Sequence, residues 1–373
     1  MADADQGGRP RVGAAPLVLP LAAVGAGDRP AVGGKAASLG ELVRVGLRVP
    51  PGCVVTTAAF TAAMRAVDPS GSLARQADRL DPEDHQRVAR VTAAIRERIR
   101  AAPLPAGLAA AIAAGCRELA AHDANAAPVA VRSSAVAEDA AAASFAGLQD
   151  TYLWVRGGEL VADRVRRCWA SLYKVESVTY RLRRGWAATA MAVVVQRMVD
   201  ARAAGVAFTR SPATGDRSVV TIEAAWGLGS AVVGGEVTPD NWIVNKVDGE
   251  IVRRTVATKP RRHLPDPAGS GVLDEEVPRE LQDRPCLSDA EVQALAHLAC
   301  LVERHYGAAQ DIEWALARDL PPDRGLFLLQ SRPETVWSRR QAAPVATPKP
   351  RAFDHVAALL SGRGTAGGES RRA

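Results

Sequence analysis

Hydrophobic and polar positions alternate with a period of two in two neighbouring segments near the C-terminal end of the chain. In Asp311-Ile312-Glu313-Trp314-Ala315-Leu316, the residues Ile312, Trp314 and Leu316 share one face while Asp311 and Glu313 take the other, the pattern of a half-buried strand. In the stretch from Phe327 to Thr335, strict alternation puts Phe327 and Leu329 on one face and Leu328, Gln330 and Arg332 on the opposite one. The link between them is polar and carries Pro321, Pro322 and Gly325, so an antiparallel hairpin is predicted. That hairpin sets a carboxylate, a carboxamide oxygen and a guanidinium side by side. Hard oxygen ligands beside an always-charged fork suit a magnesium–polyphosphate complex. An amphipathic hairpin with a solvated polar face would show the same alternation.

Upstream, the apolar period lengthens to that of helices. Asp81-Pro82-Glu83 reads as a helix start, with Val88, Val91, Ile95 and Ile99 as its buried stripe. A second helix carries Leu108, Ile112, Cys116 and Leu119, and a third is predicted from Glu159 through Trp169 to Tyr180. Strands follow at Met191–Val199, Gly205–Thr209, Val219–Ala225 and Trp242–Asn245, and then a helix opened by the capping box Ser288-Asp-Ala-Glu291. The apolar stretch around residues 14–24, interrupted by Pro16 and Pro20, reads as a first strand rather than a signal peptide. From Ser338 onward Arg, Ala, Pro and Gly dominate, and Gly362–Ala373 is expected to be disordered.

The chemistry of the hairpin recurs near the N-terminus. Arg132-Ser133-Ser134 follows a short apolar strand, and a small-residue loop containing Gly147 and ending at Thr151 comes next. A basic residue at a strand end, hydroxyls and a flexible loop suit a lid over phosphates. Gly33-Gly34-Lys35 opens another helix, where backbone N–H groups favour anions. The spacing is not that of a Walker A loop. With only five lysines against 42 arginines in the chain, a lysine at this turn points to a compact charge reaching a phosphate.

These residues resemble the N-terminal nucleotide-binding region of the phosphoenolpyruvate synthase and pyruvate phosphate dikinase family, which also includes rifampicin phosphotransferases. The similarity runs from about Leu17 to Arg339. It is carried by Val32-Gly-Gly-Lys-Ala-Ala-Ser-Leu-Gly-Glu41, Val131-Arg-Ser-Ser-Ala-Val-Ala-Glu-Asp139, Ala143-Ser-Phe-Ala-Gly147, Val195-Gln-Arg-Met-Val199, Ala224-Ala-Trp-Gly-Leu-Gly229, Thr238-Pro-Asp240, Asp311-Ile-Glu-Trp-Ala315 and Gln330-Ser-Arg-Pro-Glu-Thr335. The resemblance implies an α+β, two-lobed ATP-grasp-like fold, with lobes at residues 1–190 and 191–337 and a tail at 338–373. It also implies ATP and Mg2+ between the lobes. Lys35, Arg132, Gly147 and Thr151 are then first-lobe contacts to ATP, and Gln196 is a contact at the hinge. Glu313 and Gln330 are the magnesium ligands, and Arg332 is a phosphate contact. Lys35, Arg132 and Arg332 carry the catalytic electrostatics. Ser230 stands where the family usually has glutamate.

Full-length members of that family pass the phosphoryl group through a mobile histidine. None of His85, His122, His263, His297, His305 and His355 follows the Gly-rich, hydroxyl-flanked segment that marks it. The expected function is therefore the ATP-binding component of a pyruvate, water dikinase-like phosphotransferase, working with a histidine domain on a separate chain. The alternatives are a phenylphosphate-synthase-like or rifampicin-phosphotransferase-like subunit with another acceptor, and a non-catalytic nucleotide-binding regulator. Net charge is +6 with 4% aromatics, and the arginines are dispersed, so no nucleic-acid partner is expected. No run reaches the roughly 18 apolar residues of a membrane span. Five cysteines without paired spacing point to a cytoplasmic protein without a disulfide framework.

Overall fold

The computed structural model describes residues 15–120, 127–136, 150–186 and 190–338, and up to Thr335 these form one compact unit of mixed helix and sheet. Strands β1 (Val18–Pro20), β2 (Gly52–Val55), β3 (Val129–Ala135), β4 (Thr151–Val155) and β5 (Met191–Arg197) make a five-stranded antiparallel sheet in the order β1-β2-β5-β3-β4. Four strands of a second sheet follow: β6 (Ala201–Phe208), β7 (Val219–Trp226), β8 (Asp240–Asn245) and β9 (Ile251–Thr255). A separate hairpin comes next, β10 (Arg261–Pro265) with β11 (Val272–Glu276). Then β12 (Gln310–Ala317) and β13 (Leu326–Pro333) complete the second sheet in the order β13-β12-β6-β7-β8-β9. The chain passes from one sheet to the other between Arg197 and Ala201, a few residues beyond the 190/191 division expected for the lobes.

The helices are α1 (Arg29–Arg44), α2 (Thr57–Val67), α3 (Ser72–Asp78), α4 (His85–Ala101), α5 (Ala106–Ala120), α6 (Gly158–Ser171), α7 (Val175–Arg183), α8 (Ser230–Val233), α9 (Arg279–Gln282), α10 (Asp289–Tyr306) and α11 (Pro322–Gly325). The first sheet is covered on both faces, and its central strands read accordingly as near-continuous apolar runs. On one face, Val55, Val131, Val193 and Val195 pack with Ile95 and Ile99 of α4, Ile112 of α5 and Trp169 of α6. On the other, Val54 and Val194 meet Val32, Ala36 and Leu39 of α1. Leu42, one turn further along α1, belongs to the core of the second sheet, where Val292, Leu295 and Val302 of α10 cover Ile222, Trp242, Ile312 and Trp314. Helix α1 thus joins both cores.

Three local expectations are corrected. Asp81 caps only a turn, accepting from Glu83 N at 3.0 Å, and α4 starts at His85 with Asp84 as its cap. The helix predicted through Tyr180 is two helices, broken at Leu172–Lys174. There Tyr173 turns into the core, and Lys174 takes an extended backbone and pairs with Asp150. The link between β12 and β13 holds the short helix α11. The Ser288/Glu291 capping box is present as expected, with bonds of 3.4 and 2.8 Å. The tail beyond Ser338 lies outside the described residues. No single helix among the described residues is long and apolar enough to cross a membrane.

The motif residue Asp240 is structural. It is fully buried and accepts from Lys259 Nζ at 2.6 Å, Ala257 N at 2.9 Å and Cys286 N at 2.9 Å, while Lys259 is equally buried. Removing one partner of such a pair strands the other charge in the interior. Lys259→Met is expected to cost about 3–5 kcal/mol of stability, measured by urea unfolding, whereas a loss under about 1 kcal/mol would show that the backbone donors alone hold Asp240.

Candidate functional site

The diglycine turn and β3 are built as one piece. Gly33 has φ +75°, and a Cβ there would collide with the Ser134 carbonyl, so this crossing admits only glycine. Ser134 Oγ donates to Val32 O at 2.8 Å and accepts from Ala36 N at 3.1 Å. Helical geometry breaks at Gly33 within α1 and resumes after it, so Ala36 N is a helix-start N–H; expected to be available to an anion, it is taken by β3. Lys35 is 6% exposed and its Nζ donates to Ser133 O at 3.0 Å, which holds the ammonium against the strand that carries Arg132. One turn further along α1, Ser38 Oγ donates to Ser331 O at 2.8 Å. Two motifs nearly 300 residues apart in sequence are thereby joined.

The hairpin of β12 and β13 places Glu313 directly opposite Gln330, and Asp311 opposite Arg332. The register then shifts, and Trp314 faces Leu328 instead of Leu329. This bulge overturns the strict alternation predicted for β13: Leu328 is fully buried in the core beneath α10, while Leu329 joins Ala201, Ala204, Leu228 and Ala315 on the opposite face. Gln330 and Arg332 keep the polar face shared with Glu313.

Arg132 reaches from the first sheet onto this hairpin. Its Nη1 donates to Leu329 O at 2.7 Å, and its Nη2 donates to Glu313 Oε2 at 2.9 Å and Gln330 Oε1 at 2.7 Å. The residue is 8% exposed. Two hard oxygens thus already converge on one positive centre. Arg332 is more open, and its Nε donates to Asp311 Oδ2 at 3.2 Å. Burial pushes the Asp311 carboxyl above its usual range, against the pull of the Arg332 charge.

A cavity of about 370 Å³ lies between the two sheets, within the range of small-molecule sites. Its floor is the apolar group of Ala201, Ala204, Leu228, Ala315 and Leu329. At one end are Gln196, Met198 and Val199; at the other are Arg132, Thr151 and Glu313. The direction of β3 fixes these ends, because Ala130 pairs with Gln196 while Arg132 pairs with Thr151. Gln196 is 2% exposed and its Nε2 donates to Pro50 O at 3.1 Å. Of the expected set, Arg132, Thr151, Gln196 and Glu313 line this cavity and Gln330 is hydrogen-bonded to its wall. Lys35 stands beside β3 on the face covered by α1, the face that also carries Arg132 and Gln196, Arg332 lies further along the hairpin face, and Gly147 falls outside the described residues.

One acidic residue escaped the sequence reading. The pairs Gln330–Glu313, Glu313–Val206 and Val206–Glu223 form one cross-strand row, so Glu223 of β7 shares the face of Glu313. Burial raises its carboxyl above the usual range. The signal was available in the alternation of Thr221, Glu223 and Ala225 against Val220, Ile222 and Ala224.

Comparison with known proteins matches residues 29–352 to the pyruvate phosphate dikinase AMP/ATP-binding domain. The chain is 42% identical to a probable phosphoenolpyruvate synthase of Staphylothermus marinus, over 85% of this chain and 41% of that protein. It is 45% identical to a rifampicin phosphotransferase of a Streptomyces species, over 86% of this chain and 36% of that protein. It is 38% identical to a phosphoenolpyruvate synthase of Aeropyrum pernix, over 89% and 44% respectively. The chain therefore spans less than half the length of these curated relatives.

Proposed function

Since the chain belongs to the pyruvate phosphate dikinase AMP/ATP-binding domain family, we propose that it is the ATP-binding part of a phosphoenolpyruvate-synthase-like phosphotransferase. In this reading the two sheets are the lobes of an ATP-grasp-like fold in a cytoplasmic protein, and the phosphoryl group passes to a histidine domain that residues 1–373 do not supply. The observation that carries it is the convergence of Arg132, Glu313 and Gln330 beside an apolar-floored cavity. The base lies on the floor near Gln196, and the phosphates lie toward Arg132 and Thr151. Arg132 and Arg332 offset the charge of the polyphosphate, while Lys35 adds positive potential from its place on Ser133 O of β3.

The donor set fits magnesium: a carboxylate and a carboxamide oxygen, adjacent across the hairpin, are both directed at a single cationic nitrogen. When bound there, Mg2+ neutralises phosphate charge and orients the leaving group. Glu313→Ala is expected to weaken ATP binding in the presence of Mg2+ and to leave metal-free binding nearly unchanged, as read by calorimetry with and without EDTA. Undiminished magnesium linkage in that variant would remove Glu313 from the metal site.

Transfer to a different acceptor is a second reading, favoured by the similarity to rifampicin phosphotransferase. The two readings share the nucleotide half-reaction and separate at the acceptor. In either, the 373-residue chain supplied with pyruvate, ATP and Mg2+ is expected to form no phosphoenolpyruvate and to show at most slow ATP hydrolysis. Pyruvate-dependent AMP formation that is lost on changing one of its six histidines would contradict this.

A further inference from the structure

A polar relay stands on the wall of the same cavity. Ser230, the first residue of α8, lines both the nucleotide cavity and a second cavity beyond it that also reaches Thr151. Its Oγ lies 2.7 Å from His263 Nδ1, and His263 Nε2 lies 3.1 Å from Glu236 Oε2. The imidazole is held by its own backbone as well. Leu228 N donates to His263 O at 2.9 Å, and a Cβ on Gly227 would collide with that carbonyl. Three residues spread over β10 and the segment around α8 are thus set in one line.

With a neutral imidazole, the carboxylate at one end sets the polarity of the line. A carboxylate only accepts, so the Glu236 contact puts the ring proton on Nε2. In the neutral ring Nδ1 is then an acceptor, and the Ser230 hydroxyl must donate to it. What Ser230 has left to offer a ligand is a lone pair. It therefore selects a group that donates a hydrogen bond and gains nothing from one that only accepts. Phosphate oxygens are acceptors and gain nothing there. The position agrees, because the neighbouring Gly229 packs against Ala204 of the apolar floor while Ser230 lies with Thr151, the cross-strand partner of Arg132. Between a base on the floor and phosphates at Arg132 comes the sugar.

We propose that Ser230, held by His263 and Glu236, is a specificity residue that accepts a hydrogen bond from a sugar hydroxyl of the nucleotide. The proposal rests on the nucleotide-binding reading above. His263 is a positioning residue, acting through Ser230. Loss of one such hydrogen bond corresponds to an affinity change of about 3–10-fold.

The test is calorimetric binding of ATP, 2′-deoxy-ATP and 3′-deoxy-ATP, each with Mg2+, to the full chain. The wild-type protein is expected to bind at least one deoxynucleotide about 3–10-fold more weakly than ATP. Ser230→Ala should bring all three within about twofold of one another by weakening ATP alone. His263→Asn, which keeps an acceptor near the place of Nδ1, should preserve the discrimination, and His263→Leu should reduce it. A merely structural role would lower all three affinities together. Equal binding of the three nucleotides by wild type, or discrimination unchanged in Ser230→Ala or in His263→Leu, would overturn the assignment. Failure to bind ATP at all would instead sink the nucleotide reading on which it rests.

Discussion

Arg132→Met is expected to weaken binding of Mg2+·ATP by about 10²-fold, the loss of charge-assisted hydrogen bonds to phosphate at roughly 1.5–3 kcal/mol. The same substitution removes the three bonds that tie the first sheet to Leu329 O, Glu313 and Gln330. It also removes the cation that occupies Glu313 and Gln330, the two oxygens proposed to hold magnesium. A divalent ion without nucleotide should therefore bind the variant more tightly than it binds wild type, which can be followed with Mn2+ by electron paramagnetic resonance. Opposite signs for nucleotide and bare metal distinguish this from simple unfolding. If both affinities fall together while circular dichroism is unchanged, Arg132 does not compete with the metal for Glu313 and Gln330.

Arg332→Lys is expected to lower phosphoryl transfer by about 10²-fold, by analogy with removal of one positioned charge-stabilising donor. The substitution keeps the charge and loses the planar fork. In the wild type, Nε is held by Asp311 at 3.2 Å, directly across the hairpin. With Nε taken by Asp311, the two outer guanidinium nitrogens are the donors that the proposed site would offer to phosphate oxygens. A lysine ammonium can bridge Asp311 and one phosphate oxygen, but as a point charge it offers no planar pair of donors to two phosphate oxygens. The measurement is single-turnover cleavage of ATP in the presence of the histidine domain of a phosphoenolpyruvate synthase relative. Wild-type turnover in Arg332→Lys would make Arg332 a local partner of Asp311 and nothing more.

Much of this arrangement was legible in the sequence because the informative segments are half-buried. Alternation along β12 identified Glu313 and its face directly. Along β13 the same rule failed at Leu328, since a bulge depends on the partner strand and a one-residue shift exchanges the faces. Lys35 was legible as unusual, yet its burial against Ser133 O is set by a strand almost a hundred residues away. No local pattern carries such a contact. The break between α6 and α7 follows from the turn of Tyr173 into the core, a tertiary preference that overrides helical periodicity. Ser230 stood out in sequence only as a departure from the family's usual glutamate, Glu236 and His263 carried no such signal, and the backbone pairing of Gly227 with His263 brings the three together.

The most direct test is titration of the full chain with ATP in a calorimeter, with Mg2+ and with EDTA, for the wild type and for Glu313→Ala. A single saturable site strengthened by Mg2+ in wild type, with that strengthening lost in Glu313→Ala, is the expected result. Absence of saturable ATP binding, or magnesium linkage identical in the two proteins, would contradict a nucleotide–metal site between the two sheets.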